Sequence, residues 1–590
     1  MLPPDSRTTL LKKLEPPPGY SVTHVVGTTF TLDLDSALLP SLALSRSAAA
    51  DSADRLETIA AVQASIGKID IFHQLGQINV SGTRSRLHTL LEPAVHGVRP
   101  ANGFLFHPKV WIARYEDPNN LTRMRMLVLS RNLSRSKSWD VAVALEGWVM
   151  TTPKASNRPI ADFVRFLPEQ VTVPLPASRR TRLTALADEI RYVEWELPKG
   201  ANSLEFHAFG LPGRPRPKID FTGYKHLIIS PFLTDDGFAE LVPNDSKNVT
   251  VVSRQEALDG LSKDNAEWIT TPYVLSPTAG IPAEDEESTG SAALSGLHAK
   301  LYCVERARNA HLFIGSANAT YKALNGNVEI LVELTGGATA LGVDRFLSKD
   351  GLLPILEETT AGAGETVDNE AQVALDAHIR AIASMELQAV LTGDNEAYDL
   401  RVVSREPVPS KPDVTVAMSL YTDKSTATEL NPGVPIDVAF GGLALSDVTA
   451  FVVIVASDAG GRQSATIVKC HLIKDVPGRM DSIVTNEINN PNDFRRFLSL
   501  LLAFGAPTEE TEGGEGESAG GAGKWHVLEN GLFEQLLKAA TLSPESLERL
   551  AGVVTSIIQR GDPHNVLPDG FPDLWAAISA AADIEVPAHA

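Results

Sequence analysis

The 590-residue chain holds only two cysteines, Cys303 and Cys470. Thiols so few and so far apart exclude a disulfide framework and fit a reducing interior, so a cytoplasmic location is expected. Aromatic residues make up 6% of the chain, which gives no sign of the apolar entrance a lipid site calls for. No uninterrupted apolar run approaches bilayer length, and Met1 to Gly19 is rich in Pro and charge rather than built like a signal peptide. Neither secretion nor membrane insertion is expected. The chain also lacks a His/Cys cluster at zinc spacing and a Gly loop leading into Lys-Ser/Thr. Neither a metal nor a bound cofactor is therefore expected.

Basic charge is scarce as well: 52 Lys and Arg stand against 73 Asp and Glu, a formal net charge of −21. That balance argues against a phosphate-rich partner, because Lys and Arg dominate phosphate binding. Locally it is different. Many acids fall in expected loops such as Glu284 to Glu287 and Glu509 to Glu517, whereas Arg114, Arg123, Arg125, Arg131, Arg135 and Lys137 cluster in one stretch. These six are candidates for contacting nucleic acid; the plainer reading is a solvated strand face.

What the chain has is length and a 43% hydrophobic content, enough for several packed domains. A Pro-rich arm, 1–19, precedes alternating strand and helix signals of an α/β type. Strands are expected at Val22 to Leu34 and Ile69 to Phe72, and helices at Ser36 to Ser47, Ala53 to Ile66, Ala161 to Leu167 and Ser178 to Tyr192. The Pro/Gly-rich Leu211 to Pro217 marks a break, after which the pattern restarts with His226 to Ile229. Two α/β lobes, 20–205 and 206–400, related by a pseudo-twofold axis, are the expected core. From about Pro407 short β-rich runs suggest a small β domain, 401–478, and a helical module, 479–590, carries a Gly/Glu-rich loop at 507–523.

One order of residue types occurs twice. Phe106-His107-Pro108-Lys109 is followed by Ser130-Arg131-Asn132 and then Asp140; Leu297-His298-Ala299-Lys300 is followed by Ser316-Ala317-Asn318 and then Glu329. Residues two apart on a strand share a face, so each His and its Lys are expected to point the same way. A single His-x-Lys is usually an exposed polar pair, but the repetition marks a site. One imidazole can attack phosphorus while the other protonates the leaving oxygen and later deprotonates water. Two ammonium groups, with Asn amides and the Ser130 and Ser316 hydroxyls, can neutralise the phosphate oxygens. Asp140 and Glu329 are placed to orient an imidazole. His73, His88 and His96, with Arg84 and Arg86, are weaker candidates for a substrate channel, and Cys303 and His311 read as packed residues.

The paired motifs resemble the phospholipase D superfamily, which includes bacterial nucleases, lipases and tyrosyl-DNA phosphodiesterase, over roughly 20–390. In the superfamily's full motif an Asp follows the Lys after a four-residue gap; here Arg114 and Glu305 occupy that place. The departure makes the chain more similar to the His-Lys-Asn branch than to the lipid-cleaving one. The resemblance implies His107 as nucleophile and His298 as acid/base, with Lys109, Lys300, Asn132 and Asn318 around them. It implies a metal-independent phosphodiesterase acting on DNA, in a setting such as bacterial defence. Two alternatives stay open: a hydrolase of phospholipid or other small diesters, and a DNA-binding or assembly subunit working with a helicase.

Overall fold

The computed structural model describes residues 10–44, 54–80, 84–100, 103–135, 138–243, 246–276, 296–364, 370–393, 397–503, 544–562, 565–568 and 570–582, with 536, 539 and 584. Lys137 and the loop at 507–523 lie outside these residues, as does most of the arm at 1–19.

Two large sheets form the core. The first contains β1 (Ser21–Thr29), β2 (Ile69–Gln74), β3 (Val95–Val98), β4 (Val110–Glu116), β5 (Thr122–Leu129), β6 (Ala142–Val149) and β7 (Val193–Trp195), in the order β3-β2-β1-β4-β5-β6-β7. The second contains β8 (Ala201–Phe209), β9 (Lys225–Ile229), β10 (Asn248–Ser253), β11 (Thr271–Leu275), β12 (Leu301–Arg306), β13 (Asn309–Gly315), β14 (Glu329–Gly337) and β15 (Leu356–Glu358), in the order β15-β11-β10-β9-β12-β13-β14-β8. In both sheets three parallel strands are followed by an antiparallel meander, so β1 to β6 and β9 to β14 have one topology. Apolar side chains of the two sheets share one core, which includes Val110, Val128 and Ile160 of the first half and Ile229, Leu301 and Val332 of the second.

The parallel strands require helical crossovers, and Leu34–Leu44 and Arg55–Ser65 supply the first. Asp54 caps the latter by accepting from the Glu57 N–H at 2.9 Å. The expected boundary at 205/206 falls inside β8, which pairs along its length with β14 in the second sheet.

The region beyond is a two-sheet sandwich. Its sheets are built from β16 (Leu387–Gly393), β17 (Tyr398–Pro407), β18 (Val414–Leu420), β19 (Thr428–Glu429), β20 (Pro435–Leu443), β21 (Phe451–Asp458), β22 (Gln463–Lys469) and β23 (His471–Ile473). The orders are β20-β17-β16-β23 and β19-β18-β21-β22. The 400/401 boundary likewise falls within β17.

The sandwich is fastened to the first lobe through a buried hub at Glu92. One carboxylate oxygen accepts from Thr449 Oγ1 and the Ala450 N–H, both at 2.7 Å, and the other from Arg479 Nη2 at 2.8 Å. The helices Pro491–Ala503 and Pro544–Gln559 pack their apolar faces into the same core as Ile59 and Val62 of helix Arg55–Ser65. Among the described residues no helix is long and apolar enough to cross a membrane.

Candidate active site

The two His-x-Lys segments do not lie within regular strands, contrary to the sequence expectation. β4 begins at Val110 and β12 at Leu301, one residue after each lysine. Pro108 has no N–H to give a ladder, and the preceding residues pair with the opposite lobe instead. Phe106 bridges Val328 and Leu297 bridges Trp139, both in the parallel sense. The His107 N–H donates to Val328 O and the His298 N–H to Trp139 O, each at 3.0 Å.

Those bridges decide which carboxylate serves which imidazole. Val328 directly precedes Glu329, and Trp139 directly precedes Asp140. His107 Nδ1 lies 3.0 Å from Glu329 Oε2, and His298 Nδ1 lies 3.1 Å from Asp140 Oδ1. Each carboxylate thus orients the imidazole of the other motif. An ionised carboxylate only accepts, so Nδ1 carries the proton and Nε2 is the nitrogen left for chemistry.

The serines hold the carboxylate-bearing strands in equivalent ways. Ser130 Oγ accepts from the Val141 N–H at 2.9 Å and donates to Asp140 Oδ1 at 3.0 Å; Ser316 Oγ accepts from the Ile330 N–H at 3.0 Å. Gly315 explains itself here: a Cβ would stand 2.1 Å from Ile330 O, so only glycine lets β13 pass this close to the strand carrying Glu329.

Lys109 and Lys300 are wholly buried, each donating from Nζ to the backbone carbonyl of its own motif's histidine, at 2.8 and 2.7 Å. Burial lowers Lys109 to about 7, and burial together with the charge of Lys109 lowers Lys300 well below its ordinary value. Burial likewise lowers His107 to about 4, leaving it neutral at physiological pH, and lowers His298. Burial alone would raise the Glu329 carboxyl, but His107 and Lys109 beside it hold it below its usual value. Among the described residues, Asn132 Oδ1 and Asn318 Oδ1 are buried without a partner, as are Asp140 Oδ2 and Glu329 Oε1. The site is therefore rich in polar groups whose capacity the described residues do not use.

A cavity of about 230 Å³ opens on the His298 side, lined by Thr31, Arg131, Asn132, Ser134, Arg254 and His298. Arg254 is a residue that motif reading did not single out; the signal for it was a guanidinium directly after β10, at the end of a parallel strand.

The basic residues expected to contact nucleic acid divide. Arg131 lines the cavity, and Arg135 pairs with Asp35 at 2.9 Å. The structure does not bring Arg114, Arg123 and Arg125 to the site. Arg114 is tied to Glu189 at 2.7 Å and Glu116 at 2.6 Å, while Arg123 and Arg125 both engage Glu146. Five to seven residues of β5 put Arg123 and Arg125 roughly 17–24 Å along the strand from Ser130.

The two residues at the Asp place of the full motif are structural too. Arg114 holds helix Ala177–Ile190 through Glu189, and Glu305 accepts from the Val343 N–H at 2.7 Å. The weaker channel candidates are internal ties. His96 bonds Asp70 at 2.8 Å, His88 bonds Tyr421 at 2.5 Å, and Arg84 reaches Ser419 at 3.2 Å.

Compared with models of protein families and with curated proteins, the chain has no match. Solved structures similar to it include yeast tyrosyl-DNA phosphodiesterase, at 12% identity and TM-score 0.34 over 56% of this chain and 86% of that one. Phosphatidylserine synthase of Haemophilus influenzae is similar at 10% identity and TM-score 0.34 over 63% and 92% of the two chains. Polyphosphate kinase from Porphyromonas gingivalis is similar at 12% identity and TM-score 0.34 over 63% and 50%. These likenesses are coarse, and the chemistry of the site rests on this chain's own side chains.

Proposed function

We propose that the protein is a phosphodiesterase of the phospholipase D type that cleaves nucleic acid, DNA above all, through a phosphohistidine. The observation that carries this reading is the exchange of carboxylates, which gives two imidazoles a fixed tautomer around two buried lysines. His107, the more buried and neutral of the two, attacks phosphorus through Nε2 as the bond to the leaving oxygen breaks. The negative charge of the bound phosphate favours the protonated form of His298, whose Nδ1–H stays on Asp140, and that imidazolium gives the leaving oxygen its Nε2 proton. His298 then takes a proton from water, whose oxygen attacks phosphorus and breaks the P–N bond, returning His107 and releasing a phosphomonoester. The substrate's negative charge draws protons onto Lys109 and Lys300, and the resulting ammonium groups stabilise charge on the equatorial oxygens.

One oxygen of each carboxylate is given to an imidazole, and two imidazoles with two lysines supply the nucleophile, the acid and the cations of a reaction that proceeds in EDTA. The test is cleavage of a labelled oligonucleotide by the full chain in EDTA, with intact-mass detection of the adduct. His107→Ala is expected to abolish cleavage and adduct together, and His298→Ala to slow adduct breakdown. Cleavage persisting in His107→Ala sinks the mechanism. A role beside a helicase, or in bacterial defence, belongs to this reading as context; copurification of a motor protein tests it.

A further inference from the structure

The internal repeat allows the two rims of the site to be compared position by position. Thr29 Oγ1 accepts from the Leu133 N–H at 2.9 Å and donates to Thr31 O at 2.7 Å. Ser230 Oγ does the same with the Ala319 N–H at 3.0 Å and Phe232 O at 2.7 Å. Phe232 is thus the counterpart of Thr31. Gln74 Oε1 accepts from the Phe106 N–H at 2.6 Å, just before His107, while Arg254 donates from Nε and Nη2 to Leu297 O at 3.2 and 3.0 Å, just before His298. Arg254 is the counterpart of Gln74. Two residues beyond Leu133 stands Arg135, and two beyond Ala319 stands Tyr321, whose N–H donates to Thr234 Oγ1 at 3.1 Å.

The rims differ in kind. On the first lobe, Arg135 is drawn onto Asp35 and Asp33 at 2.9 and 3.8 Å. The second lobe presents two rings and a guanidinium: Phe232 is 48% exposed and Tyr321 55% exposed, in a chain whose large aromatics are mostly buried. The Arg254 guanidinium lies 5.0 Å from the centre of the Phe232 ring, and it lines the cavity beside His298. A guanidinium placed over a ring and anchored by a carbonyl is a positioned donor for an anion. The exposed Phe232 ring beside it, and the exposed Tyr321 ring, whose backbone is tied to Thr234 two residues beyond Phe232, offer faces on which unpaired bases stack, as in single-strand binding sites.

We propose that Phe232, Arg254 and Tyr321 form a subsite for the nucleotide flanking the scissile phosphate on the His298 side, Arg254 taking a neighbouring phosphate and the rings taking unpaired bases. The substrate is then single-stranded nucleic acid bound in one fixed direction. A base-paired strand hides the faces this rim would use. The proposal rests on the phosphodiesterase reading for the place of the scissile group, but the contacts it names are testable by binding alone.

The experiment is fluorescence anisotropy with the full chain carrying His107→Ala and a labelled oligothymidylate of about 12 nucleotides, within the span of known single-strand sites. Adding Phe232→Ala or Tyr321→Ala is expected to weaken binding about tenfold each, whereas Arg135→Ala changes it less. Arg254→Gln, which copies the first-lobe residue, is expected to weaken binding and flatten its salt dependence. Binding of the His107→Ala protein to the duplex form should be weaker than to the single strand. Unchanged affinity in both ring variants, or equal affinity for duplex and single strand, overturns the proposal. So does binding of phosphatidylglycerol vesicles that is lost in the ring variants while the oligonucleotide still binds, which would assign the rim to lipid. If the ring variants lose the oligonucleotide but the wild type cleaves no diester, the catalytic reading fails and the subsite stands.

Discussion

Replacing Glu329 by Gln changes one oxygen for one NH2 at a position with no exposure, and it isolates the exchanged carboxylate. In the wild type Oε2 faces His107 Nδ1 at 3.0 Å and keeps the proton there. A glutamine amide can offer its NH2 to the same nitrogen, which favours the tautomer with Nε2 protonated and removes the lone pair that attacks phosphorus. The same change removes a negative charge beside Lys109. A wrong tautomer of this kind costs roughly 10⁴-fold in the Ser-His-Asp proteases. With a histidine that is itself the nucleophile, a loss of roughly 10³–10⁴-fold in kcat is expected, about 4–5.5 kcal/mol of barrier. The assay is hydrolysis of bis(p-nitrophenyl) phosphate and of an oligonucleotide, with circular dichroism melting to show that Glu329→Gln stays folded. Intact mass spectrometry then separates the halves: no phosphoryl adduct in Glu329→Gln, and a longer-lived adduct in Asp140→Asn, whose partner is His298. A kcat for Glu329→Gln within tenfold of the wild type refutes the reasoning. The opposite pattern of adducts would show that the nucleophile is His298.

Acid should weaken the fold before any carboxylate titrates at its ordinary value. Burial lowers His73, His96 and His107 to about 4 each, so between the unfolded value near 6.5 and that point the unfolded chain binds more protons. The stability they contribute is complete above about pH 6.5 and is lost as pH falls towards 4, on the order of 3 kcal/mol per imidazole at the acid end; urea midpoints that do not change between about pH 7 and 5 count against it. Binding of tungstate at about pH 8 should take up protons, because the anion raises Lys109 from about 7; calorimetry in buffers of different ionisation enthalpy measures this, and proton release would contradict it. Glu92→Ala leaves Arg479 buried without that partner and should cost about 3–5 kcal/mol. The expected readout is a lower melting temperature with protease cuts appearing between the first lobe and the sandwich, and an unshifted melting curve would argue against the hub.

The sequence by itself determined the number of motifs and most elements. The His, Lys, Asn and Ser residues are legible because their types and order repeat, and helices such as Ala177–Ile190 are legible because apolar spacing is a local property. That the His-x-Lys segments lie outside regular strands is not legible for the same reason: the local pattern reports β character but not that Phe106 pairs with Val328, far along the chain. Only the tertiary structure decided that Glu329 serves His107, 222 positions away, and that Asp140 serves His298, 158 positions away. It alone separated Arg131 at the cavity from Arg114, Arg123 and Arg125 in ion pairs, and it alone set the Arg254 guanidinium over the Phe232 ring. Local periodicity comes from backbone geometry and is written residue by residue. The environment that sets each pKa and the partner of each charge come from packing between distant segments, and no spacing in the chain encodes them.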